Sequence, residues 1–107
     1  MIKVFISGRA EEDLITQYHW YVDNASQEVA ERFLTSFDST VKRLTRSPNL
    51  GRLRRFRARE LAHIRSIALS RPFDLHLIFY EFSKTSLSIE RVMHGSRDLP
   101  RRLAELP

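Results

Sequence analysis

The chain has 107 residues, enough for one core and too few for two, so a single domain spanning residues 1–107 is expected. It contains no cysteine, which excludes a disulfide framework and a cysteine-ligated zinc site and makes a reducing compartment such as the cytoplasm the easier home. A formal net charge of +5 and a pI near 10.2 favour an acidic partner, either nucleic acid or an acidic protein segment.

The apolar run at the N-terminus, Ile2 to Ile6, is too short for a signal peptide or a membrane span, and no membrane association is expected. It reads instead as a first strand ended by Ser7-Gly8. Ser7 is placed to cap a following helix whose first turn holds Glu11, Glu12 and Asp13, where the helix dipole favours carboxylates. Read as a charge run, those three acids form a solvated helix start. Ala10, Leu14, Tyr18, Tyr21 and Val22 then fall at helical spacing up to a break at Asp23-Asn24. Ser26 is the next cap. Ala30, Phe33, Leu34, Phe37, Val41 and Leu44 give a second apolar stripe that stops at Ser47-Pro48, with Lys42, Arg43 and Arg46 near the terminal carbonyls. Two amphipathic helices joined by so short a link form an antiparallel hairpin, and the aromatic stripe is explained by core packing.

The chain changes character after Pro48. From Arg46 to Arg71 there are eight arginines against one acid, Glu60, so this stretch carries +7 and the rest of the chain −2. Five of the arginines, Arg52, Arg54, Arg55, Arg57 and Arg59, fall within eight positions. They read as a surface loop able to bind phosphate or carboxylate through bidentate guanidinium contacts.

A strand is predicted at about Ala62 to Leu69, and after Ser70-Arg71-Pro72 a longer one from Leu75 to Phe82. In the latter Leu75, Leu77, Phe79 and Glu81 face one way and His76, Ile78, Tyr80 and Phe82 the other, so both faces are mostly apolar and the strand belongs inside a covered sheet. Ser83-Lys84-Thr85 interrupts it. A third strand comes next, with Leu87, Ile89 and Arg91 alternating with Ser88, Glu90 and Val92. The predicted fold is α+β, in the order β-α-α-β-β-β: an N-terminal strand, a helical hairpin and a three-stranded antiparallel meander. His19, His63 and His76 have no metal-ligand spacing, and neither a metal nor a cofactor is expected. His94, beside Gly95 where the last strand ends, is suited to hydrogen-bonding the turn.

This order of elements, together with Leu77-Ile78-Phe79-Tyr80 and the closing Arg91-Val92-Met93-His94-Gly95-Ser96-Arg97-Asp98-Leu99-Pro100, resembles the ParE branch of the RelE/ParE superfamily of bacterial toxins. The resemblance covers nearly the whole chain, and its helical part matches only in pattern. It implies the toxin of a type II toxin–antitoxin system, of the kind linked to plasmid stabilisation, held in a small hetero-oligomer by a ParD-like antitoxin. ParE-like toxins inhibit DNA gyrase by stabilising its complex with cleaved DNA, without chemistry of their own; RelE-like relatives are ribosome-dependent mRNA endoribonucleases.

Cutting RNA through its 2′-hydroxyl requires a general base, a general acid and cations beside the phosphate. Here the last tyrosine is Tyr80, inside a strand, and no Tyr or His comes after His94. On the nuclease alternative the residues to test are Arg65, His94 and Arg97; on the gyrase reading no residue is catalytic. The target or phosphate contacts are then Arg52, Arg54, Arg55, Arg57, Arg59, Arg97, Arg101 and Arg102, and the antitoxin contacts are Trp20 and Arg65. A third possibility is an inactive member kept as an antitoxin-binding partner.

Overall fold

The computed structural model of the chain describes residues 2–95. The elements are β1 (Lys3–Ile6), α1 (Gly8–Asn24), α2 (Gln27–Arg46), β2 (Arg52–Leu53), β3 (Arg65–Ala68), β4 (His76–Phe82) and β5 (Ser86–His94), with single 3₁₀ turns at Pro48–Leu50 and Arg59–Leu61. Both predicted caps are in place. Ser7 Oγ accepts from the Ala10 N–H at 3.0 Å, and Ser26 Oγ from the Val29 N–H at 3.1 Å.

The five strands form one sheet in the order β1-β5-β4-β3-β2. β3, β4 and β5 make the predicted antiparallel meander, and β1 adds in parallel to β5, Lys3 opposite Ser86 and Ile6 opposite Ile89. β4 is central, as a strand with two apolar faces requires. Toward the helices Ile78 and Tyr80 join Leu87, Ile89 and Val92 of β5 and Phe33, Phe37, Val41 and Leu44 of α2. On the opposite face Phe79 and Met93 pack with Leu61 and Ile64, and Phe56, Ala58 and Leu77 close over them.

That second layer revises the sequence reading. The arginine-rich stretch is no simple surface loop: Phe56, Ala58 and Leu61 make it the cover of the outer sheet face. It also contributes β2, where Arg52 pairs with Ser66 and Leu53 with Arg65, so β3 is not the edge of the sheet. The strand predicted at Ala62 starts only at Arg65, because Leu61 to Ile64 is the turn that anchors the cover. Leu75, expected in β4, lies before it and is exposed.

β5 departs from simple alternation as well. Phe79 pairs with Arg91 but Tyr80 with Ile89, leaving Glu90 as an extra residue in a bulge. The bulge reverses the facing of the residues beyond it, so Val92, and not Arg91, joins Leu87 and Ile89 in the helix-side core. Ser7 secures this point, its N–H donating to the Ile89 carbonyl and its hydroxyl to the Glu90 carbonyl at 2.7 Å.

Candidate functional site

Beyond Ile6, β1 no longer covers β5, and α1 takes over the open edge. Asp13 accepts from Arg91 Nε at 2.8 Å and Nη2 at 2.9 Å and from the Val92 N–H at 2.9 Å. Both side chains are largely buried, 7% exposed for Arg91 and 16% for Asp13. Asp13 is thus a structural ion-pair partner and not part of a solvated helix start. Sequence reasoning could not see this, because the partners lie 78 positions apart.

At the β2–β3 end of the sheet the hydroxyl of Tyr80 is fully engaged. It donates to the Pro48 carbonyl at 2.7 Å and accepts from the Gly51 N–H at 2.8 Å. Gly51 is required there by close approach, since a Cβ would overlap the Tyr80 ring and hydroxyl. Arg65 Nη1 donates to the Gly51 carbonyl at 2.8 Å, and its guanidinium lies 5.6 Å from the Phe82 ring centroid. Arg65 therefore latches the turn after α2. His94 stands at the other end, opposite His76, whereas Arg65 is opposite Tyr80. Four residues of strand put them about 13 Å apart along the sheet, and the two intervening strand spacings about 10 Å apart across it. Arg97, Arg101 and Arg102, and with them the third member of the nuclease set, lie outside the described residues.

Trp20 is 55% exposed and stacks edge-on against Tyr21. With Gln17, Tyr21, His76 and His94 it lines a hollow of about 310 Å³ at that same far end of the sheet. His76 is 2% exposed, its Nε2 sits 2.8 Å from the Tyr21 hydroxyl, and its Nδ1 has no hydrogen-bond partner among the described residues. Burial, then the nearby His94, lower its pKa to about 4, so it is neutral at pH 7. A second, more apolar hollow of about 300 Å³ runs between the helices, lined by Leu14, Ile15, Tyr18, His19, Glu31 and Leu34. Trp20 does not line it. The exposed Ile15, a residue sequence reasoning passed over, does; its signal was an apolar side chain off the core stripe.

The five clustered arginines divide into one fixed and four turned outward. Arg54 donates to Ser66 Oγ at 3.2 Å and lies 5.8 Å from the centroids of both Phe56 and Phe79. Burial, with Arg52 close by, pulls its pKa below the ordinary arginine value. It is a clamp for the cover. Arg52, Arg55, Arg57 and Arg59 are exposed, and none is paired with a carboxylate whose side chain is described, Glu60 being outside that set. Among the described residues there is also no cluster of three or more His, Cys, Asp or Glu able to share a metal ion. None of their helices is long and apolar enough to cross a membrane.

Comparison with known proteins bears on these features. The solved structure of a chromosomal ParDE toxin–antitoxin system from P. aeruginosa superposes with a TM-score of 0.71 at 21% sequence identity, over 90% of this chain and 98% of that one, a likeness of fold. No curated protein matches the sequence. The sequence model of the family described as the ParE toxin of the type II toxin–antitoxin system parDE matches residues 4–99, which is most of the chain. The chain belongs to the ParE toxin family of type II toxin–antitoxin systems.

Proposed function

We propose that this toxin arrests DNA gyrase by binding, prolonging the life of the gyrase complex with cleaved DNA, and that a ParD-like antitoxin neutralises it in the cytoplasm. The observation that supports the binding mode is the dispersal, among the described residues, of the groups a nuclease would need. Arg65 and Tyr80 are committed to the 48–51 turn, while His94 lies about 16 Å from Arg65 by the strand spacings. Proton transfer to or from one phosphate requires such groups within hydrogen-bond reach of it. A binding inhibitor needs only surfaces complementary to one state of its target, whose own chemistry supplies the cleavage.

The antitoxin reading is supported by the two hollows beside α1. The groove between the helices suits the apolar face of a helix, and the Trp20 hollow offers an aromatic anchor beside it, the arrangement by which a disordered tail folds on binding. Arg65 has less to offer a partner, because its guanidinium is already engaged.

Purified gyrase, relaxed plasmid and this protein test the proposal, with detergent added at the end to release trapped DNA and messenger RNA incubated in parallel. Loss of supercoiling, linear plasmid and intact RNA is the expected result. Unimpaired supercoiling would overturn the gyrase reading, and cut RNA would replace it with the nuclease one.

A further inference from the structure

The stretch from Lys42 to Arg71 holds ten cations and one acid, a formal +9, while the other 77 residues sum to −4. The fold presents this charge as a ridge. Burial alternates through the cover, with Arg55, Arg57 and Arg59 exposed and Phe56 and Ala58 turned onto the Leu61–Ile64–Phe79–Met93 cluster. The backbone beneath is tied down: the Arg54 N–H donates to Ile64 at 2.9 Å, the Leu61 N–H to Ala58 at 3.0 Å, and the Arg54 side chain to Ser66. The backbone that carries the outward arginines is thus fixed before any ligand arrives. Lys42, Arg43 and Arg46, all exposed, flank it across the turn latched by Tyr80.

We infer that this ridge, with Arg52, Arg55, Arg57 and Arg59 as its contacts, binds the phosphate backbone of duplex DNA directly, without gyrase. The surface between the arginines decides the ligand class. Single-stranded nucleic acid is held by aromatic side chains on which bases stack, and the one aromatic of the ridge, Phe56, packs inward. Protein partners draw affinity from clustered apolar anchors that become buried, and the exposed candidates here are two single side chains, Leu50 before the ridge and Leu53 beside Arg52, with no exposed large apolar residue among Arg55, Arg57 and Arg59. A duplex backbone needs only cations. Its charge density, about one charge per 1.7 Å of axis, rewards exposed guanidinium groups with counterion release. The inference goes beyond the gyrase proposal and survives its failure, because the ligand is the DNA.

The test is fluorescence anisotropy of a labelled 20-base-pair duplex titrated with the full-length protein, without gyrase, from 50 to 200 mM NaCl. Four phosphate contacts predict a loss of affinity of about 150-fold over that range, and a single remaining contact about 3-fold. The variant Arg55→Gln/Arg57→Gln/Arg59→Gln should show the shallow dependence. A control of equal charge loss at exposed cations elsewhere, Lys3→Gln/Arg32→Gln/Lys84→Gln, should keep the steep one. If the ridge triple does not fold, the single Arg57→Gln should still flatten the log–log slope by about 0.9. Equal effects of ridge and control substitutions would overturn the inference, as would no binding at 50 mM salt. Tighter binding of a single-stranded oligonucleotide, or of a 20-residue polyglutamate peptide, would overturn it too, reassigning the ridge to unpaired strands or to an acidic protein segment.

Discussion

Replacing Asp13 by alanine removes the carboxylate that faces the buried Arg91 and leaves the Val92 N–H without its acceptor. Breaking a buried pair from one side costs about 3–5 kcal/mol, a large part of the roughly 5–15 kcal/mol available to a small domain. Arg91→Met should cost less, since a carboxylate near the helix end can recover water more easily than a guanidinium that is 7% exposed. The double variant Asp13→Leu/Arg91→Met removes both charges and keeps apolar volume at the α1–β5 contact. It should therefore be more stable than Asp13→Ala by about 2 kcal/mol or more, the residual loss coming from the unpaired Val92 N–H. Urea denaturation monitored by far-ultraviolet circular dichroism gives each value from the midpoint and slope. A cost under about 1 kcal/mol for Asp13→Ala, the range of an exposed pair, would refute a buried ion pair here. Simple additivity of the single variants Asp13→Leu and Arg91→Met in the double variant would refute it equally, because residues in direct contact should couple.

The remaining predictions concern the latch, the buried histidine and the exposed tryptophan. Tyr80→Phe deletes two hydrogen bonds and strands the buried Gly51 N–H, at a cost of about 2–3 kcal/mol; Gly51→Ala should release the same turn, and thermal unfolding should report both as losses of roughly 10–20 °C. His76 has its pKa lowered from 6.5 to about 4 in the folded chain, so its contribution is complete above pH 6.5 and is lost as the pH falls toward 4, by up to about 3 kcal/mol. His76→Gln should flatten the fall in stability between pH 6.5 and about 5, and an unchanged slope would contradict the assignment. Trp20→Ala should weaken antitoxin binding at least tenfold with no loss of thermal stability, whereas unchanged affinity would remove Trp20 from that interface.

What was legible in the sequence is what local physics determines. The helices announced themselves through apolar residues at helical spacing and through Ser7 and Ser26, whose hydroxyls do cap them. β4 was legible because Ile78 and Phe79 are adjacent and both apolar, a pairing that needs cover on two faces. What supplied the second cover was not, since five arginines dominate the stretch that carries Phe56, Ala58 and Leu61 inward. β2 escaped because a two-residue strand, Arg52-Leu53, has no periodicity to detect. The bulge at Glu90 leaves no local mark either, and without it Arg91 and Val92 exchange faces. Of the candidate site residues, Trp20 and the four outward arginines have the exposure that recognition requires, while Arg54 and Arg65 hold the fold. Spacing places His76 in a strand pattern and excludes it from a metal site, and says nothing of its surroundings. Its environment is made by Tyr21, Phe33 and His94, which no spacing rule brings together.

Whether the proposed inhibition of gyrase works by binding is decided by stoichiometry. A fixed amount of gyrase is titrated with the toxin, supercoiling and detergent-released linear DNA are measured at two incubation times, and RNA in the same tubes is run beside them. A binding inhibitor should act in proportion to the toxin-to-gyrase ratio, saturate near equivalence, not deepen with time and leave the RNA whole. Inhibition that grows with time at a ratio far below one, or RNA cut while gyrase keeps supercoiling, would mean that the chain turns over a substrate and would rule out the binding mode.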